Sequence, residues 1–136
     1  MAVKQPIDTA MNWLKVAQLA FERKIYEQSI YALEMSVEIA FKAVLLSVKV
    51  EAPRVHDIRK VIDIYLAGNR RLPKTFTGSL DSYLSTFDEL LKLRPFVGYG
   101  FESEIGRKEL DVRAKRLLSE CSRLVAACGR AIKGVE

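Results

Sequence analysis

Histidine and cysteine are nearly absent from this sequence: His56 is the only histidine, and Cys121 and Cys128 are the only cysteines. A structural metal centre needs four convergent ligands, usually at short regular spacings. These three residues sit at unrelated ones, so no metal site is expected. The cysteines lie seven apart in a helical stretch, about 10 Å along its axis, which is too far for a mutual disulfide. They read as small core residues. Seven glycines and four prolines supply few turn signals, and alternating apolar and polar runs between such signals are hard to find, so strands are not expected. Charges interrupt every apolar stretch before it approaches the roughly 20 residues that span a bilayer. The N-terminus also lacks the basic, apolar, small-residue order of a signal peptide. The expectation is a soluble, cytoplasmic protein with no membrane association.

What is present is ample apolar material. A hydrophobic fraction of 49% in 136 residues can build one core without disulfide or metal staples, and 29% charged residues argue against disorder. A single all-α domain over residues 1–136 follows, read as an antiparallel up-and-down bundle of four long helices plus one short helix. No internal repeat interrupts it, and no cofactor is expected. The net charge of +5 is unevenly spread. Residues 49–74 hold seven Lys or Arg against three acids, and residues 103–136 hold eight against five, whereas the first 48 residues balance at five and five. Such asymmetry suits a phosphate-bearing partner, although a basic helix face is commonly just solvated.

Residues 11–46 carry the clearest helical pattern. Asp8 or Thr9 caps a first helix running to about Arg23, with Ala10, Leu14, Ala17 and Phe21 on its buried side and Trp13 one position off that row. A second helix follows from about Tyr26 to Lys49. On a wheel of about 100° per residue, Glu27, Tyr31, Glu34, Glu38, Lys42 and Lys49 gather in one narrow stripe, read as wet. Ser29, Ala32, Ser36, Ala43 and Ser47 gather on the far side, a small-residue seam that lets a partner helix approach closely. The flanks between are apolar, which makes this helix central.

Pro53 ends the second helix, and His56 or Asp57 caps a short third helix through Ile58, Val61, Ile62 and Leu66, closed by Gly68 and Asn69. The segment RRLPKTFTG reads as a basic loop. Ser79 opens a further helix with Leu80, Tyr83 or Leu84, Phe87, and Leu90 or Leu91 buried, ending before Pro95. Residues 95–103, PFVGYGFES, read as an aromatic, glycine-containing loop. The last helix starts near Ser103 or Ile105. Its seam of Leu110, Ala114, Leu117, Cys121, Leu124, Cys128, Ala131 and Val135 alternates steps of four and three. Arg113, Arg116, Arg123 and Arg130, with Glu120 among them, line its outer side and read first as an exposed charged face.

Taken in order, these residues resemble the HEPN domain family (higher eukaryotes and prokaryotes nucleotide-binding). The resemblance runs through Trp13, Leu14 and Ala17, then Tyr26, Ala32, Glu38, Ala40, Lys42, Ala43 and Leu45. It continues through Pro53 and the His56-Asp57-Ile58 turn to Arg94, the Tyr99-Gly100 pair and the long C-terminal helix. It implies an antiparallel helical bundle, commonly a homodimer, found beside minimal nucleotidyltransferases in prokaryotic toxin–antitoxin pairs. Active members are metal-independent ribonucleases marked by an arginine followed four to six residues later by a histidine. There the imidazole moves a proton at a ribose oxygen and the guanidinium holds the phosphate.

The sequence departs from that pattern where it matters most. Arg94 is present, but Tyr99 stands five residues on, and no histidine follows it. An unperturbed tyrosine, near 10, is a poor proton acceptor at neutral pH. His56 reads as a cap or a side chain packing a junction, and completes a site with Arg94 only if the fold or a dimer mate joins them. The catalytic candidates are therefore Arg94, Tyr99 and His56, and the phosphate-binding candidates are Arg94, Tyr99, Arg113, Arg116 and Arg123. Three functions compete. The favoured one is a non-catalytic module binding nucleotide, RNA or a nucleotidyltransferase partner. The others are a ribonuclease using Arg94 with Tyr99 or His56, and a purely structural assembly protein.

Overall fold

The computed structural model describes residues 4–99 and 105–135, with side chains described for 6–97 and 105–135. Six helices follow one another: α1 (Lys4–Glu22), α2 (Tyr26–Ser47), α3 (Arg59–Leu66), α4 (Lys74–Thr77), α5 (Leu80–Tyr99) and α6 (Arg107–Val135). No strand occurs among the described residues, so the fold is all-α, with four long helices and a short α3 as expected. No helix among them is long and apolar enough to cross a membrane.

α1 begins earlier than its expected caps. It starts at Lys4 and leaves Asp8 and Thr9 inside the helix. Pro6 falls in the first turn, where a backbone N–H has no helical acceptor, so the proline does not delay the start. Ala10 and Ala17 are fully buried, with Trp13, Leu14 and Phe21 partly buried against the core. The helix ends at a residue in the left-handed region, Lys24 with φ 62°. Lys24 N–H donates to Phe21 O at 2.9 Å and Ile25 N–H to Ala20 O at 2.8 Å, the paired bonds of a Schellman stop. Lys49 ends α2 in the same way, with φ 67°, its N–H donating to Leu46 O and the Val50 N–H to Leu45 O.

So short a stop folds α2 back along α1. The Ser29 hydroxyl donates to Ala17 O at 2.8 Å, and the Phe21 and Tyr26 rings meet at 5.8 Å, so the small-residue seam faces α1. Ser29, Ala32, Ser36 and Ala43 are buried there, and α1 and α2 form the most extensive helix pair. Across α2, α5 runs the other way: Phe87 packs on Phe41 at 5.7 Å, and Arg94 reaches back to Glu34. α6 starts beside the start of α2, where Arg107 bonds Glu27 and the Lys24 carbonyl, and its later residue Gly129 comes close to Ile7 of α1. Its seam from Leu110 to Ala131 is buried, with Val135 partly so. Full burial of one such leucine or phenylalanine contributes about 2 kcal/mol, and α2, touched by α1, α3, α5 and α6, lies at the centre of that core.

Three further expectations are corrected. The segment expected to be a loop at 70–78 contains the one-turn α4, which starts after Pro73 and buries Phe76. α5 does not stop before Pro95 but carries it and runs on to Tyr99. Proline removes the N–H that would bond the Leu91 carbonyl and its ring crowds that carbonyl, but on the exposed side of α5 the carbonyl can tilt outward to water. The stripe on α2 is not wet. Glu34 and Glu38 are 1% and 4% exposed, because α5 and the segment before α3 close over them.

Candidate functional site

A helix apolar on its other sides cannot bury two carboxylates unpaired, because the charged form loses its hydration there. Glu34 and Glu38, one turn apart, therefore organise what packs on them. Arg94 of α5 donates through Nη1 to Glu34 Oε2 at 2.6 Å, lies over the Tyr31 ring at 5.0 Å, and turns Nη2 to the Tyr31 hydroxyl at 3.5 Å. His56, from the segment between α2 and α3, places Nδ1 2.9 Å from Glu38 Oε1 and Nε2 3.1 Å from Arg94 Nη2. Lys42 donates to the second Glu38 oxygen at 3.0 Å.

The network assigns the imidazole proton. A guanidinium only donates, so Nε2 must accept from Arg94, and the proton then sits on Nδ1, where it is donated to Glu38. Neutral His56 is thus held from both sides. His56 is no helix cap: Ile58 occupies the cap position of α3 without a side-chain bond, and it is Asp57 that accepts the Arg59 N–H.

The two acids are unequally served. Both Glu38 oxygens have donors, whereas Glu34 Oε1 is buried with none. Loss of hydration and the neighbouring Glu38 push the Glu34 carboxyl up to about 7, against the opposing pull of Arg94. The acids lie deep while their partners reach outward, since the side chains of Arg94 and His56 are 24% and 53% exposed. An arginine and a histidine lying over two buried carboxylates can hold an anion and relay a proton.

The HEPN domain family model matches residues 3–131. The chain belongs to the HEPN domain family. It is accordingly a helical module of the nucleotide-binding and ribonuclease type. No curated protein and no solved structure matches it.

In this HEPN domain the histidine beside Arg94 comes from 38 residues earlier in the chain. Tyr99 ends α5, and its side chain, like Phe101, lies outside the described residues. The other phosphate candidates are elsewhere. Arg113 and Arg116 turn to the opposite side of α5, where both bind Glu89, and Arg116 also binds Glu120. Arg123 is exposed on the outer face of α6. The basic excess of residues 49–74 is partly spent within the fold, because Arg59 pairs with Asp57 and Asp88 along a groove that also holds Asp63 and Asp81.

Atoms of Glu34, Glu38 and His56 lie within 4.8 Å of one another, a spacing that invites a cation. The chain supplies its own in Arg94 and Lys42, whose two charges already balance the two carboxylates. Cys121 and Cys128 are free and buried, and burial raises both thiols well above their ordinary range.

Sequence reasoning found Arg94 and His56 but missed Glu34, Glu38, Tyr31 and Lys42 as their partners. The signal was in the stripe itself. Charged residues confined to one row of an otherwise apolar central helix call for buried partners more than for solvent.

Proposed function

We propose that this HEPN domain binds the phosphate of a nucleotide or of RNA at the Arg94–His56 pair, without cleaving it. The observation that carries the reading is the 3.1 Å contact between Arg94 Nη2 and His56 Nε2. It places the Arg94 guanidinium, a phosphate-compatible donor, at a partly open edge while engaging the His56 lone pair that a general base would need. Lys42 extends the positive edge toward a shallow depression of about 300 Å³ lined also by Pro6, Leu46, Val50, Glu51 and Ala52, an apolar surface on which a base can rest. The groove beside α3, where four aspartates outnumber Arg59 and Lys60, is a poorer surface for a polyanion.

The test is binding of a fluorescent RNA oligonucleotide at two salt concentrations with a chelator present. Salt-sensitive binding weakened at least tenfold in Arg94→Ala, and little changed in Arg123→Ala, is the expected result.

One observation favours a second reading, a metal-independent endoribonuclease. Glu38 orients the His56 ring as a carboxylate orients a catalytic imidazole, and a substrate that drew Arg94 onto its phosphate would free Nε2 as a base. Chelator-resistant RNA cleavage abolished by both Arg94→Ala and His56→Ala would replace the binding reading with this one.

Family membership supports the remaining proposals: a homodimer, a minimal nucleotidyltransferase partner in a prokaryotic toxin–antitoxin pair, and residence in the cytoplasm, where RNA is met. Light scattering of the purified protein tests the first, where a monomer at micromolar concentration counts against it. Co-purification with the product of a neighbouring nucleotidyltransferase gene tests the second.

A further inference from the structure

Glu34 is the weak point of the network. Its buried carboxylate shares one oxygen with Arg94 and has no donor for the other, although Arg94 is also the residue a phosphate would claim. The charged and titratable groups around it are Tyr31, Glu38 and Lys42 on α2, Arg94 on α5 and His56 from the segment before α3. Their two acids and two cations balance while His56 is neutral, so an arriving phosphate tips the cluster to net negative. Lys42 and His56 are both committed to Glu38. Water cannot compensate at a side chain 1% exposed.

We propose that the phosphate enters together with one proton: its oxygens take the Arg94 guanidinium from Glu34, and the proton taken from solvent resides on Glu34, which then donates it to Glu38. The inference rests on the phosphate-binding reading and adds its coupling to pH. The geometry supplies each part. Glu38 is one turn away, with a carboxylate oxygen within 4.8 Å of one on Glu34. A protonated Glu34 turns its orphan acceptor into a donor with an acceptor to meet. Burial and the like-charged neighbour have already raised Glu34 toward neutrality, so little further perturbation is needed.

The test is calorimetric titration with a 2′-O-methylated RNA hexamer, which cannot be cleaved at its ribose and whose diesters do not titrate between pH 6 and 9. Buffers of different ionisation heat report protons taken up per ligand. Near pH 8 the protein is expected to take up a fraction of a proton, and affinity is expected to rise as pH falls from 9, by less than about tenfold per pH unit, and to level off near 7, where Glu34 is already half protonated in the free protein. Glu34→Gln imitates the protonated carboxyl, so it is expected to bind more tightly at pH 8 with this uptake gone. His56→Gln is expected to retain the uptake.

Uptake that survives in Glu34→Gln and vanishes in His56→Gln overturns the proposal, because the proton then resides on the imidazole. Binding without uptake also overturns it and leaves the phosphate site standing. No binding at any pH overturns both.

Discussion

α5 carries an ion cluster on each of two sides, and they are built to opposite specifications. Toward α6, Glu89 is held by two guanidiniums, Arg113 at 3.1 Å and Arg116 at 2.6 Å, and these bonds lower its carboxyl below the usual range. Toward α2, the single guanidinium of Arg94 faces two buried acids, and burial raises Glu34. Glu89 has a surplus of donors and braces two helices. Glu34 has a deficit, and the cluster it belongs to keeps a cation that a ligand can recruit. An acid held below its range marks a joint, and an acid held above it marks a place with unfinished bonding.

The sharpest way to break the contrast is Arg94→Ala, which leaves two buried carboxylates without their main countercharge. A loss of about 3 kcal/mol is expected at pH 8 in urea unfolding, with a smaller loss at pH 6, where Glu34 can neutralise itself by taking a proton. The next largest effect is expected in Glu89→Gln, which removes the acceptor of two arginines and costs roughly 2 kcal/mol at pH 7.

The two acids also differ in sign. Glu34 holds its proton more tightly folded than unfolded, so its contribution is full below the ordinary carboxyl range and drains as pH rises to about 7. Glu89 is depressed, so its contribution is present above the ordinary range and is lost as pH falls through its lowered value. Stability profiles of Glu34→Gln and Glu89→Gln are therefore expected to deviate from wild type with opposite slopes. Equal slopes would end the comparison.

Arg116→Ala is expected to cost less than about 1 kcal/mol, since the arginine is half-exposed and Arg113 remains on Glu89. Smallest is Lys24→Gly, which relieves a left-handed lysine and is expected to stabilise by about 0.5 kcal/mol, equally at pH 6 and pH 8. It touches neither cluster and so supplies the pH-independent reference.

Much of the scaffold was legible in the sequence because it depends on spacing along single helices. The seam on α6, the small-residue face of α2 and the turn at Gly68 all follow from local periodicity and backbone chemistry. Errors arose where a residue's fate depends on something distant. Glu34 and Glu38 looked solvated because the arginine and histidine that cover them are 60 and 18 residues away. Pro95 looked like a stop because its exposed position on α5 is not visible in one dimension. Arg113 and Arg116 looked like surface charges, and their sharing of Glu89 needs two helices side by side. Arg94 and His56 were readable as residue types, but their contact was not.

The three-residue link between α1 and α2 has a consequence in time. Helices so close in sequence meet at small loop-closure cost, and the hairpin they form is expected to appear early in folding. The Arg94–Glu34 contact closes across 60 residues and waits for α5 to dock. A newly made chain is thus expected to hold a folded hairpin before the cluster of Glu34, Glu38, His56 and Arg94 is assembled, and the pairing of Arg94 with Glu34 marks the moment its long-range contacts are in place.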